Sequence, residues 1–109
     1  MEYVLLIYTP EAAQDDSDLP KYAAFGQEAT AAGVIRGGNR LRPAGEAASV
    51  RLRNGEPAIT DGPFAETREQ LGGYYILDCK SREEALAWAA KVPGARNGTV
   101  EVRPVWAMS

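Results

Sequence analysis

Runs of apolar residues predict four β-strands in this chain. Residues 3–8 are continuously apolar and rich in strand formers, as in a strand buried on both faces, and residues 74–79 repeat that character. Residues 34–41 form a second strand interrupted by Gly37-Gly38, which favours a bulge or a close approach to the backbone. Residues 99–105 alternate apolar Val100 and Val102 with charged side chains, as a half-buried strand does.

Two helices fit between these strands. The first presents one apolar face and ends at Gly33, with Ser17 or Asp18 as its N-cap; the face consists of Tyr22, Phe25, Ala29 and Ala32. The second begins with a capping box, Ser81 with Glu84, and ends at Pro93-Gly94.

The middle of the chain predicts a hairpin followed by a sharp corner. Val50 and Leu52 alternate with arginines, and Asn54-Gly55 is a favoured two-residue hairpin turn. The corner is Asp61-Gly62-Pro63-Phe64, where Gly62 tolerates a positive φ and Pro63 fixes its own. Residues 65–70 are mostly helix formers, so we expect a short helix there, ended by Gly72-Gly73 before a strand from Tyr74.

The order of these elements predicts a single ferredoxin-like α+β domain over residues 1–109. Two βαβ units pair into one antiparallel sheet with helices on one face, and the hairpin is an insertion. Because only one face is covered by helices, we expect a second copy of the chain to cover the other face. The apolar tail from Val105 to Met108 would help to close this homodimer or would fray.

Charge and composition exclude several classes of partner. The net charge is −3 and no basic run occurs, so we expect neither a nucleic acid nor an anionic membrane as partner. No apolar stretch approaches the roughly 20 residues that cross a bilayer, and the N-terminus lacks the pattern of a secretory signal. The lone Cys79 excludes an intramolecular disulfide and favours a cytoplasmic location.

The absence of histidine restricts the chemistry further. With 0 His there is no Ser-His or Cys-His pair and no ordinary zinc, copper or non-haem iron site. We therefore expect no metal and no cofactor, and any general acid or base must be Asp, Glu, Tyr, Lys or Cys79. Cys79 ends an apolar strand and has no cation near it in sequence, which favours a buried, inert thiol.

Each candidate site residue has a functional and a structural interpretation. Asp61 is either an acid/base or anchor in a pocket, or an Asx-turn residue that shapes the corner. Arg36 and Arg40 flank a glycine-rich stretch and either clamp an anion or are surface charges. Tyr8 and Tyr74 either line a cleft or belong to the core.

Two acidic groups have the same two interpretations. Glu66 and Glu69 lie on the expected helical turn and either share a proton or metal or form a solvated face. The acidic stretch that includes Asp15, Asp16 and Asp18 is either a metal site or a helix cap.

The stretch from Asp61 to Tyr75 resembles the signature of the DGPF proteins, a branch of the YCII-related family. It reads DGPFAETREQLGGYY, and the likeness extends to residues 3–8 and 100–105, nearly the whole chain. The resemblance implies a ferredoxin-like domain that dimerises as a dimeric α/β barrel, with no settled biochemical activity. It also implies an aspartate–histidine pair, in which Asp61 matches the aspartate and Asn97 lies near the place of the histidine.

Three functions remain open from the sequence. The first is a small cytoplasmic dimer with a pocket for a small organic molecule near Asp61, Pro63 and Phe64. The second is a small enzyme resembling lactone isomerases or decarboxylases, in which Asp61 moves a proton and Arg40 holds an anion. The third is an interaction module associated with a transcription regulator.

Overall fold

The computed structural model describes residues 1–10 and 16–107. The strands and helices alternate as the sequence predicts, with a hairpin between the second and third strands of the sheet. Their bounds are β1 Glu2–Pro10, α1 Leu19–Ala31, β2 Ile35–Arg40, β3 Ala48–Arg53, β4 Glu56–Asp61, β5 Glu69–Asp78, α2 Arg82–Ala89 and β6 Thr99–Pro104.

Strands β2, β5, β1 and β6 form one antiparallel sheet in that spatial order. Since β5 lies between β2 and β1, the two βαβ units interleave, which is the ferredoxin-like arrangement. The predicted α+β fold is therefore confirmed. No described helix has the length and apolar character needed to cross a bilayer.

The helices bury one face of the sheet. The side chains of Leu5, Leu77 and Val92 are almost completely inaccessible to water. The Phe25 ring of α1 lies 4.9 Å from the ring of Tyr75 and 6.0 Å from that of Trp88, between centroids. Aromatic contacts at such distances stabilise beyond the area that they bury, so this trio joins the sheet to both helices.

Two of the four helix ends that the sequence addressed follow the predicted chemistry, the end of α1 and the start of α2. Helix α2 ends at Ala89, before Pro93-Gly94, and these two residues begin a separate 3-10 turn. Gly33 has a φ of +74°, which ends α1 as predicted. The Ser81 hydroxyl accepts a hydrogen bond from the Glu84 N–H at 3.2 Å, and the Glu84 carboxylate accepts one from the Lys80 N–H at 3.3 Å. Asp18 occupies the N-cap of α1 without a side-chain cap bond and lies 3.4 Å from the Lys21 ammonium instead. Asp15 and the side chain of Asp16 lie outside the described part.

The face of the sheet that carries no helix is apolar at its centre. We call it the open face; its central side chains, all half-buried, are Val4, Leu6, Tyr8, Leu71, Tyr74 and Ile76. Charged and polar side chains of β6 lie along one edge of this face, among them Glu101 and Arg103.

The inserted hairpin, β3 with β4, forms a separate two-stranded sheet. Its turn is Asn54-Gly55 with φ values of 53° and 80°, the conformation that a type I′ turn requires. At its base the Gly62 N–H donates to the Ala47 carbonyl at 2.6 Å, and the Ser49 hydroxyl donates to the Gly62 carbonyl at 2.9 Å. These bonds hold the two ends of the insertion side by side.

The prediction of a short helix at residues 65–70 is wrong. The chain is irregular from Ala65 to Arg68 and enters β5 at Glu69. The Thr67 hydroxyl donates to the Glu69 carbonyl, and the Gln70 amide donates to the Thr67 carbonyl at 3.0 Å. Such side-chain bonds compete with a helical turn. Glu69 and Gln70 pair with the end of β1, and this pairing stabilises the strand over a helix. Glu66 and Glu69 therefore do not share a helical face.

The tail is only partly described. The Val105 N–H donates to the Glu2 carbonyl at 2.8 Å, which ties the chain to β1, and Trp106 is 90% exposed. Met108 lies outside the described residues, so closure of a dimer by the tail stays a prediction.

Candidate functional site

A β-bulge in β5 opens a cavity between the sheet and the start of α1. In the register with β1, Ile7 faces Gly73 and Tyr8 faces Leu71, so Gly72 is the extra residue. Its carbonyl accepts a hydrogen bond from the Leu41 N–H at 2.9 Å, just beyond the end of β2. Bulges kink the sheet and re-aim side chains, and here the kink widens the space beside α1.

The cavity has a volume of about 630 Å³. Its walls come from α1, the end of β2, the turn at residues 41–46, the bulge and the segment before β6. Among the side chains that line it are Leu19, Tyr22, Arg40, Arg42, Tyr75 and Asn97. The size falls within the range of small-molecule sites, and so does the mixture of aromatic walls with a few polar groups.

Two tyrosines form the deeper wall. Burial raises the pKa of Tyr22 above its ordinary value of 10.0, although a hydrogen bond with the Gly94 backbone opposes the shift. Burial also raises the pKa of Tyr75, and the nearby Tyr22 adds to that effect. Both phenols are therefore neutral near pH 7 and can offer a hydrogen bond to a ligand, but they are poor bases there.

Two arginines carry positive charge at the cavity. Arg40 pairs in register with Gly73 and so faces the helix side of the sheet, where its charge acts on Tyr22. Arg42 lies in the turn, where its Nε donates to both carboxylate oxygens of Glu46 at 3.1 Å. That pair is exposed and contributes little to stability. The same lining includes the carboxylates of Asp18 and Glu46, so its acidic and basic side chains are equal in number. A guanidinium group can bind a carboxylate or phosphate through two parallel hydrogen bonds.

The Asp61–Phe64 corner lies beside this cavity and does not line it. The Gly62 N–H bonds to Ala47, the neighbour of the lining residue Glu46. Asp61 is exposed, and among the described residues no hydrogen bond reaches its carboxylate. Phe64 is 80% exposed and Pro63 is half-buried. The corner thus stands at the edge of the cavity with its anchor side chain in solvent.

A second depression, of about 750 Å³, lies on the open face. Tyr8, Thr67, Glu69 and Glu101 are among its lining residues, and the Thr99 hydroxyl donates to the Glu69 carboxylate at 2.9 Å. It is much more open to solvent than the cavity beside α1. We place the candidate site in the enclosed cavity because a small ligand gains affinity by burying most of its surface.

The structure therefore separates the predicted site residues into three groups. Arg40 lines the enclosed cavity. Tyr74 borders the cavity, but its side chain lies on the open face, where its hydroxyl accepts a hydrogen bond from the Asn39 amide at 3.0 Å. Tyr8 lines the depression on the open face, and the corner residues flank the cavity. Arg36 lies elsewhere, as the extra residue of a bulge in β2, and its guanidinium meets the Asp78 carboxylate at 3.2 Å.

Sequence reasoning missed several lining residues. Tyr22 was assigned to the helical core stripe, and it packs against the core, but it also lines the cavity. Asn97 was noted only as lying near the place of an implied histidine, and it lines the cavity. A tyrosine in an otherwise apolar stripe was the available signal, because a buried phenol needs a polar partner. Cys79 is buried, and burial raises the pKa of its thiol, which agrees with an inert residue.

Comparison with known proteins agrees with this architecture. The model of the YCII-related domain matches residues 1–109. An uncharacterised protein of Rhizobium meliloti (strain 1021) is 37% identical to the chain over 114 residues, which cover 96% of this chain and 92% of that protein.

Proposed function

This chain belongs to the YCII-related family, and from that premise we propose that it is a small cytoplasmic homodimer that binds a small organic molecule. The proposed site is the enclosed cavity beside the Asp61–Phe64 corner. The observation that carries the proposal is the combination of about 630 Å³ of space with tyrosine walls and arginines. We propose further that the ligand carries a carboxylate or similar anion next to an apolar or aromatic body.

The chemistry of the walls supports this ligand class. Tyr22 and Tyr75 supply flat apolar surface, and Leu19 and Leu41 extend it at the mouth. Arg40 supplies the positive charge on the helix side of the sheet, while Asn97 can donate and accept hydrogen bonds. A ring with an acidic substituent fits both requirements, since the ring gains from burial and the acid from the guanidinium.

Asp61 has a supporting role in this proposal. Its strand ends at the corner, and the backbone bonds of Gly62 hold that corner against the turn that carries Glu46. Asp61 and Phe64 then border the opening, where a ligand larger than the cavity would meet them. An acid/base role for Asp61 would need the ligand to reach from the cavity to this exposed carboxylate.

The homodimer in the proposal is supported by the open face. Apolar side chains at the centre of a sheet, with charged residues at its edge, are typical of a surface covered by another subunit. Leu6 and Tyr74 face each other across β1 and β5 at its middle. We therefore propose that the two copies pack their open faces together.

The binding proposal is tested with benzoate and its neutral analogue benzamide, each titrated into ¹⁵N-labelled protein. We expect benzoate to shift the amide signals of Tyr22, Arg40 and Asn97 at a lower concentration than benzamide does. The variant Arg40→Gln should reduce the difference between the two probes, whereas Arg51→Gln, on the exposed hairpin, should leave it unchanged. If a wider panel of aryl and alkyl carboxylates leaves all cavity amides unmoved, the proposal is wrong.

Catalysis is examined separately, by comparing ligand consumption by the wild-type protein and by Asp61→Asn once a ligand binds. Binding without consumption by either protein supports the proposal as stated. Consumption that is lost only in Asp61→Asn would establish the enzyme instead.

A further inference from the structure

The β3–β4 hairpin has one apolar face and one polar face. In its register Val50 lies opposite Ile59, Leu52 opposite Pro57 and Ala48 opposite Asp61, so these residues share one face. The other face carries polar and charged side chains together with one alanine, namely Ser49, Arg51, Arg53, Glu56, Ala58 and Thr60. Such strict alternation is typical of strands with one face covered.

Nothing among the described residues of the same chain covers that apolar face. Val50 is 62% exposed, Leu52 68% and Ile59 70%. An isolated two-stranded hairpin is at best marginally stable in water. A hairpin of this pattern therefore gains its stability from a surface on which the apolar face lies.

The surface area of the chain indicates how much is left uncovered. A compact monomer of this mass exposes about 5,900 Å², whereas the chain exposes 7648 Å². The surplus is roughly 1,750 Å², about twice what one partner buries in a standard interface. The radius of gyration is 15.6 Å, whereas about 13 Å is usual for this length. The chain has a flat shape, with extents of 47 × 41 × 17 Å.

The open face alone is too small to account for this surplus. A sheet of four strands, each paired over about six residues, covers roughly 20 × 20 Å in plan. That plan area is about 400 Å², so even a rugged sheet surface leaves much of the surplus on the hairpin. In a two-fold symmetric dimer each contact occurs twice, so two hairpins and two open faces would bury the surplus of both copies together.

We propose that the β3–β4 hairpin is an arm that lies, apolar face inward, on a second copy of the chain. This inference rests on the homodimer of the proposed function and adds a second contact surface to it. The arginines of the polar face then point to solvent. Asp61 shares the apolar face at the base of the arm, so the partner copy lies beside its carboxylate and completes the edge of the candidate site.

The test compares two triple variants on opposite faces of the arm. The first is Val50→Thr, Leu52→Thr and Ile59→Thr, which places a β-branched residue at all three positions and so keeps the preference for a strand. The control is Arg51→Lys, Arg53→Lys and Ala58→Thr on the polar face, which, like the first variant, leaves the net charge unchanged. The dimer dissociation constant is measured by sedimentation at about 150 mM salt. We expect at least a 100-fold weaker dimer for the first variant and a change of at most about threefold for the control.

The outcomes distinguish this inference from the proposal on which it rests. A wild-type dimer whose dissociation constant is the same in both variants overturns the arm and leaves the dimer of open faces in place. A wild-type protein that stays monomeric at every concentration overturns both.

A second measurement does not depend on the folding of the triple variants. Amide hydrogen exchange of the arm, at Arg51, Ala58 and Thr60, whose N–H groups face the opposite strand, is compared between the wild-type dimer and a monomer made by Leu6→Lys and Ile76→Lys on the open face. We expect at least tenfold faster exchange of these amides in the monomer, with core amides such as that of Leu77 still protected. Equal protection of the arm in both states overturns the inference, because the arm would then be stable without a partner.

Discussion

Gly98 lies where two strands approach each other too closely for a side chain. A Cβ added at Gly98 would lie 2.0 Å from the Tyr8 carbonyl oxygen and 2.9 Å from the Thr9 Cα. Ordinary contacts of this kind are about 3.4 Å, so in Gly98→Ala the backbone must move by more than about 1 Å. Overpacking typically costs about 1–3 kcal/mol, and we expect the upper end because backbone atoms cannot turn away as a flexible side chain does.

The consequence is large relative to the whole stability of the domain. A loss of about 3 kcal/mol is a substantial part of the roughly 5–15 kcal/mol that stabilise a native protein. The melting temperature should fall by roughly 10–20 °C. Because Asn97 precedes Gly98 and lines the cavity, we also expect weaker benzoate binding in the variant.

Gly26→Ala is the matched control, since the chemical change is the same and the surroundings are not. Nothing lies within 4 Å of a Cβ at Gly26, in the interior of α1. Alanine should therefore stabilise the protein by about 0.5–1 kcal/mol. Both variants are measured by urea unfolding at one fixed protein concentration, because dimer formation would make stability depend on concentration. A Gly98→Ala protein within about 0.5 kcal/mol of wild type would refute the reasoning.

Three further predictions follow from local contacts. Ser81→Ala removes the hydroxyl that caps α2 and should cost about 1 kcal/mol in urea unfolding, whereas a neutral result would mean that water replaces the cap. Leu77→Ala removes a side chain with 0% exposure and should cost about 2–5 kcal/mol in the same assay; a loss under about 1 kcal/mol would contradict the described core. Burial raises the pKa of Tyr22, so its phenol stays neutral to a higher pH in the folded chain than in the unfolded chain. The stability that this difference contributes is fully present below the unfolded pKa of about 10, and it is lost as the pH rises through the folded pKa. Absorbance at 295 nm should show late ionisation of Tyr22 and Tyr75, and Tyr22→Phe should remove one late step; titration of all five tyrosines together would contradict this.

The sheet was predictable because its signals are local and mutually consistent. The apolar run at residues 3–8, the cap at Ser81 and the turn at Asn54-Gly55 each fix an element on their own. The error at residues 65–70 has a different origin. Helix formers there are overruled by pairing of Glu69 and Gln70 with the end of β1, a contact between segments about 60 residues apart that no local pattern contains.

The cavity was less predictable than the fold for a related reason. It depends on the bulge at Gly72, and the place of a bulge is set by the register between two strands. Gly72 and Gly73 were read as a helix stop, so the kink beside Arg40 was not expected. Asp61 attracted attention by its motif, while Tyr22 and Asn97 reach the same region from distant parts of the chain.

The base of the hairpin has a consequence for how such proteins can diverge. The chain leaves the main sheet after Arg40 and returns at Glu69, and between these points Ala47 and Gly62, at the two ends of the hairpin, are joined by a hydrogen bond of 2.6 Å. An insertion whose ends touch can be lengthened, shortened or exchanged with little change in the rest of the fold, because closing a longer loop adds only about 0.6 kcal/mol per doubling. Residues 48–61 are thus a replaceable insertion. By exchanging it, a ferredoxin-like core can acquire different partners while its own packing stays the same.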